Sequence, residues 1–126
     1  MRAHAATENG APALSIWGSG KALREFMHVD DCADALVFLM QSYSESQLIN
    51  VGTGQETTIR DLARTVAEVA GYNGRLVFDA SKPDGMPRKL LDSSRMLAMG
   101  WRPRVELSEG LRETYRWFLS QRKVWS

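Results

Sequence analysis

The sequence predicts an α/β fold, and three features carry that reading. Stretches with apolar residues at the 3.6-residue helical period alternate with short extended apolar runs. Glycine and proline punctuation separates them. One run, Leu48, Ile49 and Val51, is wholly apolar, the pattern of a strand covered on both faces in a parallel sheet.

Taken in order, residues 1–9 read as a helix that Gly10 and Pro12 end. No capping residue precedes Arg2, so the chain reads as opening inside a helix, and further sequence upstream is expected. Leu14 to Trp17 is a short strand, Gly18 and Gly20 make a tight turn, and Arg24 to Val29 is a second extended run. Asp30 or Asp31 is suited to cap the next helix. Its apolar set Ala33, Leu36, Val37 and Met40, widened by Ala35 and Leu39, predicts burial on more than one side. After the strand at 48–51 and the turn Gly52-Thr53-Gly54, Thr58 and Asp61 form a capping-box variant. The helix they open carries Ile59, Leu62, Ala63, Val66, Ala67 and Ala70 on one face and stops at Gly71. Residues 75–79 form a strand, and residues 81–92 (SKPDGMPRKLLD) an irregular, charged segment. Ser93 or Ser94 caps a short helix ending at Gly100. Ser108 caps the last one, with Leu111, Tyr115, Phe118 and Leu119 on its packed face and Arg112, Glu113 and Arg116 in water.

Composition narrows the function classes. Sixteen Lys plus Arg against 15 Asp plus Glu leave a formal charge of +1, so no bulk field recruits nucleic acid or an anionic membrane, and any anion site must be local. The single cysteine excludes an internal disulfide and suits a reducing cytoplasm. No run approaches the length of a membrane span, of about 20 residues, and MRAHAATENG has no apolar h-region, so neither export nor insertion is expected. One cysteine and two distant histidines assemble no metal constellation. Cys32 reads as a small core residue and His28 as a hydrogen-bonded core histidine.

Two segments are suited to an anionic, ring-bearing ligand. Trp17 offers an aromatic face and Arg24 a planar, bidentate donor; Lys82, Asp84, Arg88 and Lys89 crowd a single loop. Asp84 has two readings: a turn former bonding its own backbone, or an acceptor for sugar hydroxyls. Arg88 and Lys89 are equally compatible with ordinary solvated charges. The pairs Gly18/Gly20 and Gly52/Gly54 are turn signals only, since neither completes a dinucleotide fingerprint.

At this point the motifs carry a resemblance. WGSGKALREFMHVDD, INVGTGQETTIRDLA and FDASKPDGMPRKLLD followed by GLRETYRWFL resemble the C-terminal part of the GDP-L-fucose synthase family of extended short-chain dehydrogenases/reductases, over essentially the whole chain. The REF-HVDD pattern is shared widely among nucleotide-sugar epimerases and dehydratases; KPDG-PRKLLD is a narrower signal. The resemblance implies a substrate-binding portion over residues 1–126 lacking most of the Rossmann domain. It implies NADP as cofactor of the full-length family, a GDP-sugar as substrate, and a homodimer when full length. It also implies substrate-binding positions at Trp17, Arg24 (near the diphosphate), Asp84, Arg88 and Lys89. Residues of about 28–54 are expected to pack on the missing NADP-binding domain, so that 31–52 expose apolar surface.

The family's catalytic Ser and Tyr-x-x-x-Lys have no counterpart: the residues four after Tyr43, Tyr72 and Tyr115 are Gln47, Leu76 and Leu119. Cys32 and His28 do not match the family's acid/base pair. No catalytic residue is therefore expected in this chain, which alone is expected to be inactive. Two further readings stay open, a related nucleotide-sugar epimerase or dehydratase and a stand-alone nucleotide-sugar-binding or interaction module.

Overall fold

Glycines with positive φ end three of the helices as expected: Gly10 after α1 (Arg2–Glu8), Gly71 after α3 (Ile59–Val69) and Gly100 after α4 (Ser94–Ala98). The computed structural model describes residues 1–122, in which the remaining elements are β1 (Ala13–Trp17), β2 (Leu23–Glu25), α2 (Val29–Ser42), β3 (Glu56–Thr58), β4 (Arg75–Asp79), β5 (Arg88–Lys89) and α5 (Leu107–Arg122). The strands form two small sheets. β1 and β4 pair in parallel with Ala13 opposite Arg75 and Trp17 opposite Asp79. In the other sheet β2 lies between antiparallel β3 and parallel β5.

Two apolar clusters hold these pieces. Ala6, Ala67 and Tyr72 bring α1 and α3 together over Leu14 and Leu76 of the first sheet, and the Tyr72 hydroxyl donates to the Ala11 carbonyl at 3.0 Å. Ala35, Met96 and Trp101 join α2 to α4 and the segment after it, with Met27, Phe38, Leu39, Ile49 and Val51 around them. The Trp101 indole N–H donates to Asp34 at 2.8 Å, which satisfies the ring's polar end inside the cluster. His4 fastens α1 to α5: its Nδ1 lies 2.9 Å from the Tyr115 hydroxyl and its ring meets Phe118 edge-on.

Several expectations need correction. Val29 opens α2 instead of ending a strand, and the cap is the His28 ring, which accepts from the Asp30 N–H; neither Asp30 nor Asp31 caps. Asp31 is buried and accepts from the backbone N–H groups of Arg104 (3.1 Å) and Val105 (3.0 Å), clipping residues 101–106 to the helix. Because Asp31, Ala35, Phe38 and Leu39 define the packed side, α2 is buried on that side only. Cys32 falls outside it and is exposed, so it is no core residue. Val29, Leu36 and Met40 are 70%, 55% and 84% exposed, which gives α2 a bare apolar stripe.

Residues 48–51 form no strand: Leu48 is almost fully exposed, while Ile49 and Val51 use their side chains to pad the Trp101 cluster without joining a sheet. Both edges of β2 are already taken, by β3 and β5, so that sheet has no place for them beside its central strand. Ser108 lies inside α5, which starts at Leu107, and Leu119 is 39% exposed instead of joining Leu111, Tyr115 and Phe118. The Thr58 cap is as expected, its hydroxyl accepting from the Asp61 N–H at 3.0 Å and donating to the Asp61 carboxylate at 2.5 Å.

Candidate functional site

The turn at 18–20 is built to meet the charged loop. Gly18 and Gly20 hold φ of 83° and 78°, and neither has room for a side chain: a Cβ at Gly18 would collide with Asp84, and one at Gly20 with Phe78 at 2.7 Å. Between them, Ser19 donates its N–H and its hydroxyl to the two oxygens of Asp84, at 2.6 and 2.7 Å. The hydroxyl and then the N–H hold the Asp84 carboxyl below the ordinary aspartate value. Asp84 thus bonds the glycine turn and not its own backbone, and it latches the exposed loop there. Arg60 braces that turn from below, donating to the Ser19 carbonyl at 2.7 Å while its guanidinium lies 4.1 Å from the Phe78 ring centroid.

Around this latch the sequence-predicted residues separate into two groups. In the β3-β2-β5 sheet Arg24 stands in register with Thr57 on one side and Lys89 on the other. Strand pleating sends these three to one face and Leu23, Thr58 and Arg88 to the other. Arg88 is consumed there by a bidentate pair with Glu56, at 2.7 and 2.8 Å. That pair lowers the Glu56 pKa and raises that of Arg88, in each case chiefly through the side-chain hydrogen bonds between them.

Arg24 and Lys89 form no ion pair with any described residue; the Arg24 guanidinium donates only to the Leu23 carbonyl, at 2.6 Å. Two cations abreast in a sheet repel each other unless an anion lies between them. The other like-charge neighbours in this sheet, Glu25 and Glu56, are each satisfied from within the chain.

A Cβ on Gly85, the residue after the latch, would lie 3.8 Å from Arg24 Nη2, so the guanidinium sits alongside the loop backbone. Trp17, at the end of β1, is 70% exposed, with Lys82 Nζ 5.9 Å from its ring centroid. The Asp84 latch thus joins the turn that follows Trp17 to the loop that passes beside Arg24. By contrast, the hollow of about 300 Å³ near Phe26, Leu62 and Leu111 contains no Lys or Arg and suits no anion.

Thr57, Ser19 and Arg60 were not candidates from the sequence. The register signal for Thr57 requires knowing that β3 pairs with β2, and nothing local marks Arg60 as a brace. Gly18 and Gly20 lead into β2, and Gly52 and Gly54 into β3, so neither pair opens a helix onto a phosphate.

Residues 1–52 match the NAD dependent epimerase/dehydratase family. GDP-L-fucose synthase 1 of Arabidopsis thaliana is 54% identical over 118 residues, covering 94% of this chain and 36% of the plant protein. GDP-L-fucose synthase of Escherichia coli K12 is 52% identical over 127 residues, covering 94% of this chain and 40% of that protein. The crystal structure of a GDP-L-fucose synthetase from Naegleria fowleri bound to NADP superposes with a TM-score of 0.90 at 28% identity, covering 97% of this chain and 39% of that one. Fold, motifs and matches make the chain similar to one class, the extended short-chain dehydrogenases/reductases. Within that class the chain is similar to GDP-L-fucose synthases, and it spans a little over a third of the length of the curated relatives it matches.

Proposed function

We propose that this chain is the GDP-sugar-binding portion of a GDP-L-fucose synthase, the NADP-dependent enzyme that converts GDP-4-keto-6-deoxy-D-mannose to GDP-L-fucose by epimerisation at C3 and C5 and reduction at C4. The observation that carries the reading is the pair Arg24 and Lys89, adjacent in register and without a carboxylate partner among the described residues. A diphosphate meets that need: the planar guanidinium binds two phosphate oxygens at once, and the ammonium supplies a second positive charge. Trp17 then offers a flat face to an apolar part of the ligand. In this reading Asp84 acts by latching the loop, and Arg88 by fastening β5 to β3; neither is free to touch substrate as the Arg24 and Lys89 pair is.

The hydride chemistry and the NADP site are assigned to sequence outside this chain. The bare stripe Val29, Leu36 and Met40 on α2 supports a second element of the proposal, that residues of about 28–54 pack on an NADP-binding domain. Calorimetric titration of the chain with GDP, UDP and guanosine tests the first element. The expected order is GDP above UDP, with guanosine weakest because it lacks the diphosphate. UDP above GDP would favour a different nucleotide-sugar epimerase or dehydratase, and equal binding of GDP and guanosine would sink the diphosphate assignment.

A further inference from the structure

We propose that Glu25 is a positioning residue for this site: its carboxylate clamps two loops to the end of β2 and so keeps Lys89 abreast of Arg24. The positioning half rests on the ligand reading above, whereas the clamp itself is a statement about the chain alone.

The need for a clamp follows from β5. It is only two residues long, and every residue from 81 to 92 is exposed, so no apolar burial holds this segment in place. A short parallel pairing of this kind has few ladder bonds of its own; the Leu23 N–H donates to the Pro87 carbonyl at 2.8 Å at its start. Beyond Lys89 the backbone pairing stops, and Glu25 takes over. One carboxylate oxygen accepts from the Leu91 N–H at 3.3 Å, while the other accepts from the Gly54 N–H at 2.5 Å and the Thr53 hydroxyl at 3.2 Å. A single side chain thus satisfies backbone donors from two loops that otherwise meet only water.

Space for the clamp is reserved by Gly52. A Cβ there would stand 2.7 and 2.8 Å from the two Glu25 oxygens and 2.8 Å from the Ser93 hydroxyl. That hydroxyl is itself buried and unpartnered among the described residues, which makes the space polar on a second side. The pleat of β2 links clamp to site: consecutive residues point to opposite faces, so Arg24 goes to the cationic face and Glu25 to the clamp. Loss of the clamp frees the chain just after Lys89 and lets the ammonium drift from the guanidinium.

Glu25→Gln keeps the size but replaces one accepting oxygen with a donor, and Gly52→Ala attacks the same carboxylate by steric contact without altering a charge. In both variants hydrogen exchange at the Leu91 and Gly54 amides should accelerate about tenfold, and GDP affinity should fall by a similar factor. Exchange at Ala67 in α3 and binding of guanosine should stay at wild-type values, and Glu25→Asp should recover part of both losses. Wild-type exchange at Leu91 and Gly54 in Glu25→Gln would overturn the clamp. Faster exchange there with unchanged GDP affinity would overturn the positioning role, as would equally faster exchange at Ala67. A wild-type chain that fails to bind GDP would overturn the ligand reading and, with it, the positioning role, while the exchange rates still decide the clamp.

Discussion

Two irregular, basic, proline-bearing segments of this chain are clipped by an aspartate, and they come to opposite ends. Residues 101–106 (WRPRVE) lie against α2 with Trp101 buried in the cluster around Met96 and with Asp31, itself buried, accepting from Arg104 and Val105. Residues 80–92 are exposed throughout, and Asp84 latches them to Ser19 in contact with solvent. The first segment is a seam of the fold. The second is a strap whose fixed shape serves the surface beside it. Burial separates the two, because a charge-assisted hydrogen bond inside a dry cluster supports the whole structure, whereas the same bond in water directs one loop.

The largest effect should come from the seam. Trp101→Ala removes the biggest side chain of its cluster and should cost about 3–5 kcal/mol in urea unfolding. Asp31→Asn should follow, at about 1–3 kcal/mol, since two partly buried N–H groups lose a buried, charged acceptor. On the strap, Asp84→Asn should leave the unfolding midpoint where it is and speed hydrogen exchange at Ser19. If it instead unfolds the chain as Asp31→Asn does, the distinction between seam and strap is lost.

Acid should make the same distinction without mutation. The Asp84 pKa is depressed in the folded chain, so the latch contributes fully above the ordinary aspartate value and is lost as pH falls through the lower, folded value. Ser19 exchange, compared with that of Ala67 in α3 after allowing for the intrinsic pH dependence, should lose protection below pH of about 4. The smallest effect should come from the exposed pairs of Glu109 with Arg112 and Arg116 on α5, where Glu109→Ala should change stability by less than about 1 kcal/mol.

How much of this was legible in the sequence depended on the range of the interaction. The Thr58 cap, the glycine stops after α1 and α3 and the period of the helices are local, and they were readable. Cys32 and Val29 were misplaced because the apolar residues of α2 occupy nearly its whole circumference, and only the partners Met96 and Trp101 show which arc is inside. Arg88 and Lys89 are neighbours of the same charge with opposite fates, and nothing in their own stretch separates them. The separation comes from the register of β5 on β2, which puts Arg88 within reach of Glu56 and Lys89 beside Arg24. Trp17 and Arg24 were candidates on their chemistry, an indole and an isolated guanidinium next to a glycine turn, and the resemblance named the same two positions.

In the proposed function Arg24 and Lys89 together hold one diphosphate. The most direct test is a double-mutant cycle of GDP binding by calorimetry with Arg24→Ala, Lys89→Ala and the pair. Arg24→Ala should weaken binding about tenfold or more, and Lys89→Ala less. The double variant should lose less than the two single losses combined, since each cation loses much of its value once the ligand is no longer fixed by the other. GDP affinity unchanged in Arg24→Ala would rule out a diphosphate held between the two cations.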